Sequence, residues 1–157
     1  MQEAGYNTFY TGKLFNAHSI STYNDPFVKG FNGSDFLLDP YTYSYYNSTY
    51  QRNHEEPRNY NGQHTTDVIT EKSMGFLEDA LQGDRPFFLT VSPVAPHSNI
   101  DKTGSGSLMR APVPLPRHEH LFADAKVPRT PSWNPVNVCL LWLLFSRFVL
   151  TNAAHRR

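Results

Sequence analysis

A single cysteine, Cys139, is all the thiol chemistry this chain has. An internal disulfide is excluded, and one thiol says little about redox compartment. An excess of charge of either sign is missing as well: 14 Lys+Arg face 14 Asp+Glu. That balance gives no reason to expect nucleic acid or an acidic surface as a partner. No apolar run reaches the roughly 20 residues of a membrane span. The longest, Val138-Cys-Leu-Leu-Trp-Leu-Leu-Phe145, soon meets Arg147. At the start, Met1-Gln-Glu-Ala-Gly5 has neither the basic nor the apolar region of a secretory leader. An export signal is expected only upstream of it.

What the chain does have is length for one domain with a real core, at 157 residues, and aromatics at 14%, with 9 Tyr and 11 Phe. Such tyrosines serve equally as strand residues or as a surface for sugars and aromatic ligands. Asn32-Gly-Ser34 and Asn47-Ser-Thr49 are glycosylation sequons and point to a secretory route.

The stretch around which the rest is organised is Pro86-Phe-Phe-Leu-Thr-Val-Ser92, followed at once by Pro93-Val-Ala-Pro-His97-Ser98. The first half reads as a buried, central parallel strand. The second is a loop stiffened by Pro93 and Pro96 that carries His97 at its tip. In open α/β sheets, ligands bind beyond the carboxyl ends of the strands, so His97 is a candidate site residue.

Ala4-Gly5-Tyr6 reads as a helix end running into a strand over 7–11 that finishes at Gly12-Lys13. The body of that helix is missing, as if the chain began mid-domain. A second strand is expected over 34–38, closed by Asp39-Pro40. Tyr41 to Tyr50 alternates Tyr with Thr, Ser and Asn and reads as an exposed strand or hairpin arm. Residues 51–63 are polar and turn-rich and read as a surface loop. Thr65-Thr-Asp67 offers an N-cap for a helix to about Leu81, with Ile69, Phe76, Leu77, Ala80 and Leu81 on one face. Helix, short turn, strand and site loop make half of a βαβ unit.

Beyond Ile100 the chain is rich in Gly, Ser and then Pro, and reads as an extended segment. His118 and His120 lie close together there, but no third ligand has suitable spacing, so they read as surface histidines. The apolar stretch after Val138 fits poorly behind a proline-rich segment. It is expected not to belong to the domain and to arise from a wrongly joined reading frame; a tail docking into a groove is the alternative.

Taken in order, these pieces resemble a family. Gly5-Tyr-Asn-Thr8 with Thr11-Gly-Lys13-Leu-Phe-Asn16, the Tyr45-Tyr-Asn-Ser-Thr49 sequon, Thr66-Asp-Val-Ile69 and Ala95-Pro-His-Ser98 are similar to sulfatases. The likeness is to fungal arylsulfatases and the N-acetylglucosamine-6-sulfatases close to them, over roughly residues 4–135. It implies an incomplete α/β, alkaline-phosphatase-like domain, with a mixed sheet flanked by helices, over 1–135, and an unrelated tail over 136–157.

The resemblance implies that Lys13 binds sulfate and that His97 contacts it and assists the leaving group. Asn16 matches the Gly-Lys-x-x-Asn form of the glucosamine-type branch, and with His18 it is a candidate substrate-binding residue. The family's nucleophile is a formylglycine made within Cys/Ser-x-Pro-x-Arg, a motif these 157 residues do not contain. The Asp and Asn ligands of its Ca²⁺ are likewise expected outside this chain. The implied function is a fragment of a secreted sulfuric ester hydrolase acting on aryl or sugar sulfates, inactive by itself. The alternatives are a phosphodiesterase of the same superfamily and a non-catalytic glycoprotein that keeps only the fold.

Overall fold

The computed structural model describes residues 1–103, 106–130 and 133. Residues 1–118 form one compact unit. A single 3-10 turn, Gln2–Ala4, ends at Gly5 in the left-handed region and opens the chain. It stands where the helix end was read from the sequence, with Gly5 as its left-handed stop.

Five strands form one sheet, β1 (Asn7–Lys13), β2 (Gly33–Leu37), β3 (Asn47–Arg52), β4 (Arg58–Asn61) and β5 (Phe87–Ser92), in the order β4-β3-β2-β1-β5. β1 runs parallel to both β2 and β5, while β3 and β4 are antiparallel. The sheet is therefore mixed, and the domain is a partial α/β fold. A separate antiparallel hairpin joins β6 (Asn99–Thr103) to β7 (Gly106–Arg110).

The helix α1 (Thr65–Leu81) lies on one face of the sheet. Registered residues alternate between faces. Phe9 of β1, Leu37 of β2, Tyr50 of β3 and Leu89 of β5 thus share the helix side. Leu37 and Tyr50 meet Val68, Ile69 and Val94, whereas Phe9 and Leu89 meet Phe76 and Ala80. The opposite face carries Phe36, fully buried under a loop rather than a helix. Phe31, Phe27 and His18 of that loop and Tyr10 of β1 surround its ring at centroid distances of 5.2 to 6.4 Å among the cluster. The loop is pinned to β1 by Asn32, whose Oδ1 accepts from the Thr8 N–H at 2.8 Å.

Several expectations need correction. The strand over 86–92 does pair in parallel with β1, but it is an edge strand among the described residues and not a buried centre. Phe87, Phe88 and Val91 are exposed; only Leu89 reaches the core cluster. The apolar run encodes a strand that can be covered on both faces, and periodicity cannot say whether this chain supplies the cover.

Residues 41–46 form turns, and the strand there is shifted to 47–52, with Tyr45 and Tyr50 buried instead of exposed. The polar stretch 51–63 is not a loop throughout. It completes the β3–β4 hairpin, whose edge strand β4 is mostly exposed and sends only Tyr60 toward the core cluster. Residues 99–110 form the β6–β7 hairpin. Leu81 at the helix end faces solvent, since the helix ends there and no element covers its last residue.

The helix is capped one residue earlier than expected. The His64 Nδ1 accepts from the Thr66 N–H at 3.2 Å, which leaves Nε2 to donate to the Val113 carbonyl at 2.9 Å. His64→Ala removes a cap and a buried tie. It is expected to lower stability by about 1 to 2 kcal/mol, read as a drop in the urea midpoint with an unchanged slope.

In the second unit, residues 119–157, the Arg129 guanidinium lies 5.3 Å from the Trp133 ring centroid. The apolar segment 138–150, read above as foreign to the domain, lies outside the described residues. Among those residues no helix is long and apolar enough to cross a membrane.

Candidate active site

Parallel pairing of β1 with β5 sets Gly12 opposite Ser92, so both strands end at the same edge of the sheet. Lys13 is the last residue of β1, and His97 follows five residues after the end of β5. The two ends are tied by Tyr10, whose hydroxyl donates to the Lys13 carbonyl at 2.6 Å and lies 2.9 Å from the Ser92 hydroxyl.

The loop carrying His97 is short and firmly held. Its own turn closes through the His97 N–H to the Val94 carbonyl, and Val94 is buried in the core. The Tyr45 hydroxyl donates to the His97 carbonyl at 2.7 Å, the Tyr45 N–H donates to Asn99 Oδ1, and the Ile100 N–H donates to the Tyr43 carbonyl. Segments 43–45 and 97–100 are thus held together by one backbone pair and two side-chain-to-backbone bonds.

The imidazole of His97 is exposed, and its Nδ1 lies 2.9 Å from the Ser98 carbonyl oxygen. A carbonyl can only accept, so this contact places a proton on Nδ1 and leaves Nε2 for a ligand or a transferred proton.

Lys13, Asn16 and His97 all converge on one residue, Tyr43. The Lys13 ammonium lies over the Tyr43 ring, 4.9 Å from its centroid. The His97 imidazole stacks on that ring at 4.2 Å and 29°. The Tyr43 hydroxyl donates to Asn16 Oδ1 at 3.2 Å. A cation, an imidazole and a carboxamide therefore share a small patch at the carboxyl ends of two parallel strands, where α/β sheets place ligands. Beside it lies a cavity of about 480 Å³ walled by Ile20, Pro40, Tyr43 and Ile100.

His18 does not join this group. It is buried with its ring edge against Phe36, and burial is the main influence that pulls its pKa below that of an ordinary histidine. Tyr43 is the residue that reading the sequence missed. It sits in a run where tyrosine is common, and the alternation there gave no sign that one ring turns toward Lys13 and His97.

Comparison with known proteins shows the family. The family model for sulfatases matches residues 1–117. The chain belongs to the sulfatase family. It is 35% identical to an arylsulfatase of Volvox carteri and 36% identical to one of Chlamydomonas reinhardtii. Each match covers 82% of this chain and 20% of the relative. It is 42% identical to a sulfatase of Metarhizium majus over 62% of this chain and 22% of that protein. The chain thus spans about a fifth of the length of these sulfatases.

The calcium implied by the resemblance can be tested against the side chains present. Among the described residues no three His, Cys, Asp or Glu come together to hold a metal ion. His118 and His120 are both exposed.

Proposed function

We propose that Lys13, Asn16 and His97 form the anion-holding part of a sulfuric ester hydrolase site, in a protein that cleaves aryl or sugar sulfate esters. The observation that carries this reading is the convergence of Lys13 and His97 on Tyr43 at the shared end of β1 and β5. The sulfuryl group in flight carries negative oxygens, and a fixed ammonium holds such oxygens best when it is already in place. A histidine with Nδ1 tied to a carbonyl presents Nε2, and from there a proton can pass to the departing alkoxide or phenoxide. Neither residue is the nucleophile. The Cys/Ser-x-Pro-x-Arg motif is absent from the sequence, and Cys139 is followed by Leu-Leu-Trp. This chain alone accordingly binds sulfate without turning an ester over, and the formylglycine and calcium ligands belong to sequence outside it. Secretion and glycosylation at Asn32 and Asn47 belong to the same reading. Asn32 is exposed, and Asn47 is half-buried beside Asn59.

The test uses the purified chain. Titration with inorganic sulfate, followed by nuclear magnetic resonance, is expected to move the Lys13 and His97 signals together. Lys13→Ala is expected to weaken binding by about tenfold, the loss of one charge-assisted contact. No phenol is expected from an aryl sulfate, with or without calcium. Sulfate signals unchanged by both Lys13→Ala and His97→Ala would return the fold-only glycoprotein reading to favour. Turnover that vanishes in Lys13→Ala would refute the inactive-chain part.

A further inference from the structure

Three residues with site chemistry meet at Tyr43, and that meeting needs a reason of its own. A tyrosine beside an anion site could be a bystander, but three features argue otherwise. Its backbone is fixed, because its carbonyl accepts from the Ile100 N–H at 2.8 Å. Its ring packs against the core cluster of Leu37, Tyr50, Val68, Ile69 and Val94. Its polar tip is also committed, to Asn16. The ring is thus a rigid surface set by the core, while the Lys13 and His97 side chains, unlike the held backbone of the His97 loop, have torsional freedom to lose on binding. Lys13 carries its charge on a long flexible stem, and His97 lies exposed on a loop.

An anion site built from such groups loses affinity to the freedom they surrender on binding, and preorganisation recovers it. A ring face attracts the ammonium through its quadrupole and stacks with the imidazole. We propose that Tyr43 is a positioning residue, whose ring holds the Lys13 ammonium and the His97 imidazole in a common arrangement before the sulfuryl oxygens arrive. This inference rests on the anion-site reading given above and adds a residue that the family resemblance does not assign. The ring does the positioning, and the hydroxyl serves mainly to orient Asn16.

The division between ring and hydroxyl makes the inference testable. Tyr43→Phe keeps the ring and removes the hydroxyl, whereas Tyr43→Leu keeps apolar bulk and removes the ring. In the purified chain, titrated with inorganic sulfate, Tyr43→Phe is expected to bind about twofold to threefold more weakly than the unaltered chain, because Asn16 loses the hydroxyl that orients it while the ring stays. Tyr43→Leu is expected to bind about fivefold to tenfold more weakly, the equivalent of one cation–π contact. The ring-current displacement of the His97 imidazole protons should persist in Tyr43→Phe and vanish in Tyr43→Leu.

If Tyr43→Leu does not fold, Tyr43→Trp decides. A larger ring face should hold sulfate at least as well as tyrosine, and a loss of about tenfold there would overturn the proposal. Equal affinity in Tyr43→Leu and the unaltered chain, with Lys13→Ala still impaired, would leave the anion site standing and remove Tyr43 from it. Binding indifferent to Lys13→Ala and His97→Ala would overturn the site itself, and the positioning role with it. A loss as large in Tyr43→Phe as in Tyr43→Leu would transfer the role from the ring to the hydroxyl and overturn the inference as stated.

Discussion

Gly12→Ala is expected to cost about 3 kcal/mol or more of folding stability and to abolish sulfate binding by the chain. Gly12 has φ +109°, outside the range that L side chains readily adopt. A Cβ built there would lie 2.1 Å from the Ser92 carbonyl oxygen and 2.8 Å from the Ile69 side chain. The first neighbour is backbone of the paired strand β5, which cannot move without breaking the β1–β5 register. Conformation alone would cost about 1 to 2 kcal/mol; the clash adds to it. The damage also falls where the site is built, because the next residue is Lys13. Gly62 supplies the control. It too has positive φ, at +82°, but a Cβ there would meet nothing within 4 Å. Gly62→Ala is expected to cost only about 1 kcal/mol and to leave sulfate binding intact. Urea unfolding of the two variants, with sulfate titration of whatever remains folded, separates strain from collision. Equal costs at both positions would show that the β1–β5 edge is looser than the structure has it.

The same glycine shows why parts of this fold were legible in the sequence. Gly-Lys after an alternating strand marks a strand end, and Pro-His after an apolar run marks another. The rule that α/β ligands gather at carboxyl ends links the two. Helix α1 was legible because Ile69, Phe76 and Ala80 recur at helical spacing, and all three are buried. Periodicity failed where the backbone turned. The tyrosines from 41 to 50 alternate as a strand does, yet residues 41–46 form turns, and Tyr43 and Tyr45 end up serving the His97 loop. The strand β5 was legible as a strand and as a parallel partner of β1. Its place at the edge was not, because an apolar run records the capacity for burial and not the presence of a cover. Asp35 and Lys72 were overlooked for another reason. A lysine on a helix normally marks the solvent face, and one acidic residue in a short strand carries no periodic signal.

That overlooked pair carries the other large expected effect. The Asp35 side chain is 1% exposed and that of Lys72 10%, with the ammonium donating to Oδ2 at 2.8 Å. The ammonium also donates to the Tyr60 hydroxyl at 2.9 Å and lies within 5 Å of the Tyr50 and Tyr60 ring centroids. Arg52 is further away, at 3.7 Å from the same oxygen, and Oδ1 has no hydrogen-bond partner among the described residues. Burial raises the Asp35 pKa above the usual carboxylate range, against the opposing pull of Lys72 and then Arg52. Desolvation therefore outweighs the pairing, and the charge is tolerated in the interior rather than favoured there.

Removing Lys72 leaves that charge without its main partner. Lys72→Ala is expected to destabilise the domain by about 3 to 5 kcal/mol, the range for breaking a buried pair from one side. Replacing both partners, in Asp35→Asn with Lys72→Met, is expected to cost far less than Lys72→Ala alone. The pH dependence has a definite sign. A carboxyl whose pKa is raised on folding binds its proton more tightly in the folded state. Its contribution to stability therefore falls as pH rises from the unfolded value toward the folded one. Loss of Lys72 raises the folded value further and widens that window. The deficit of Lys72→Ala relative to the unaltered chain should thus shrink as pH is lowered, because a protonated Asp35 no longer needs the ammonium. Urea midpoints at several pH values between neutral and mildly acidic measure it. A deficit below about 1 kcal/mol at neutral pH, or one that grows on acidification, would mean that water reaches Asp35 and that the pair is worth no more than a surface ion pair. The consequence reaches the site through the sheet. Asp35 is in register with Thr11, two residues before Lys13, so Lys72→Ala is also expected to weaken sulfate binding by the chain.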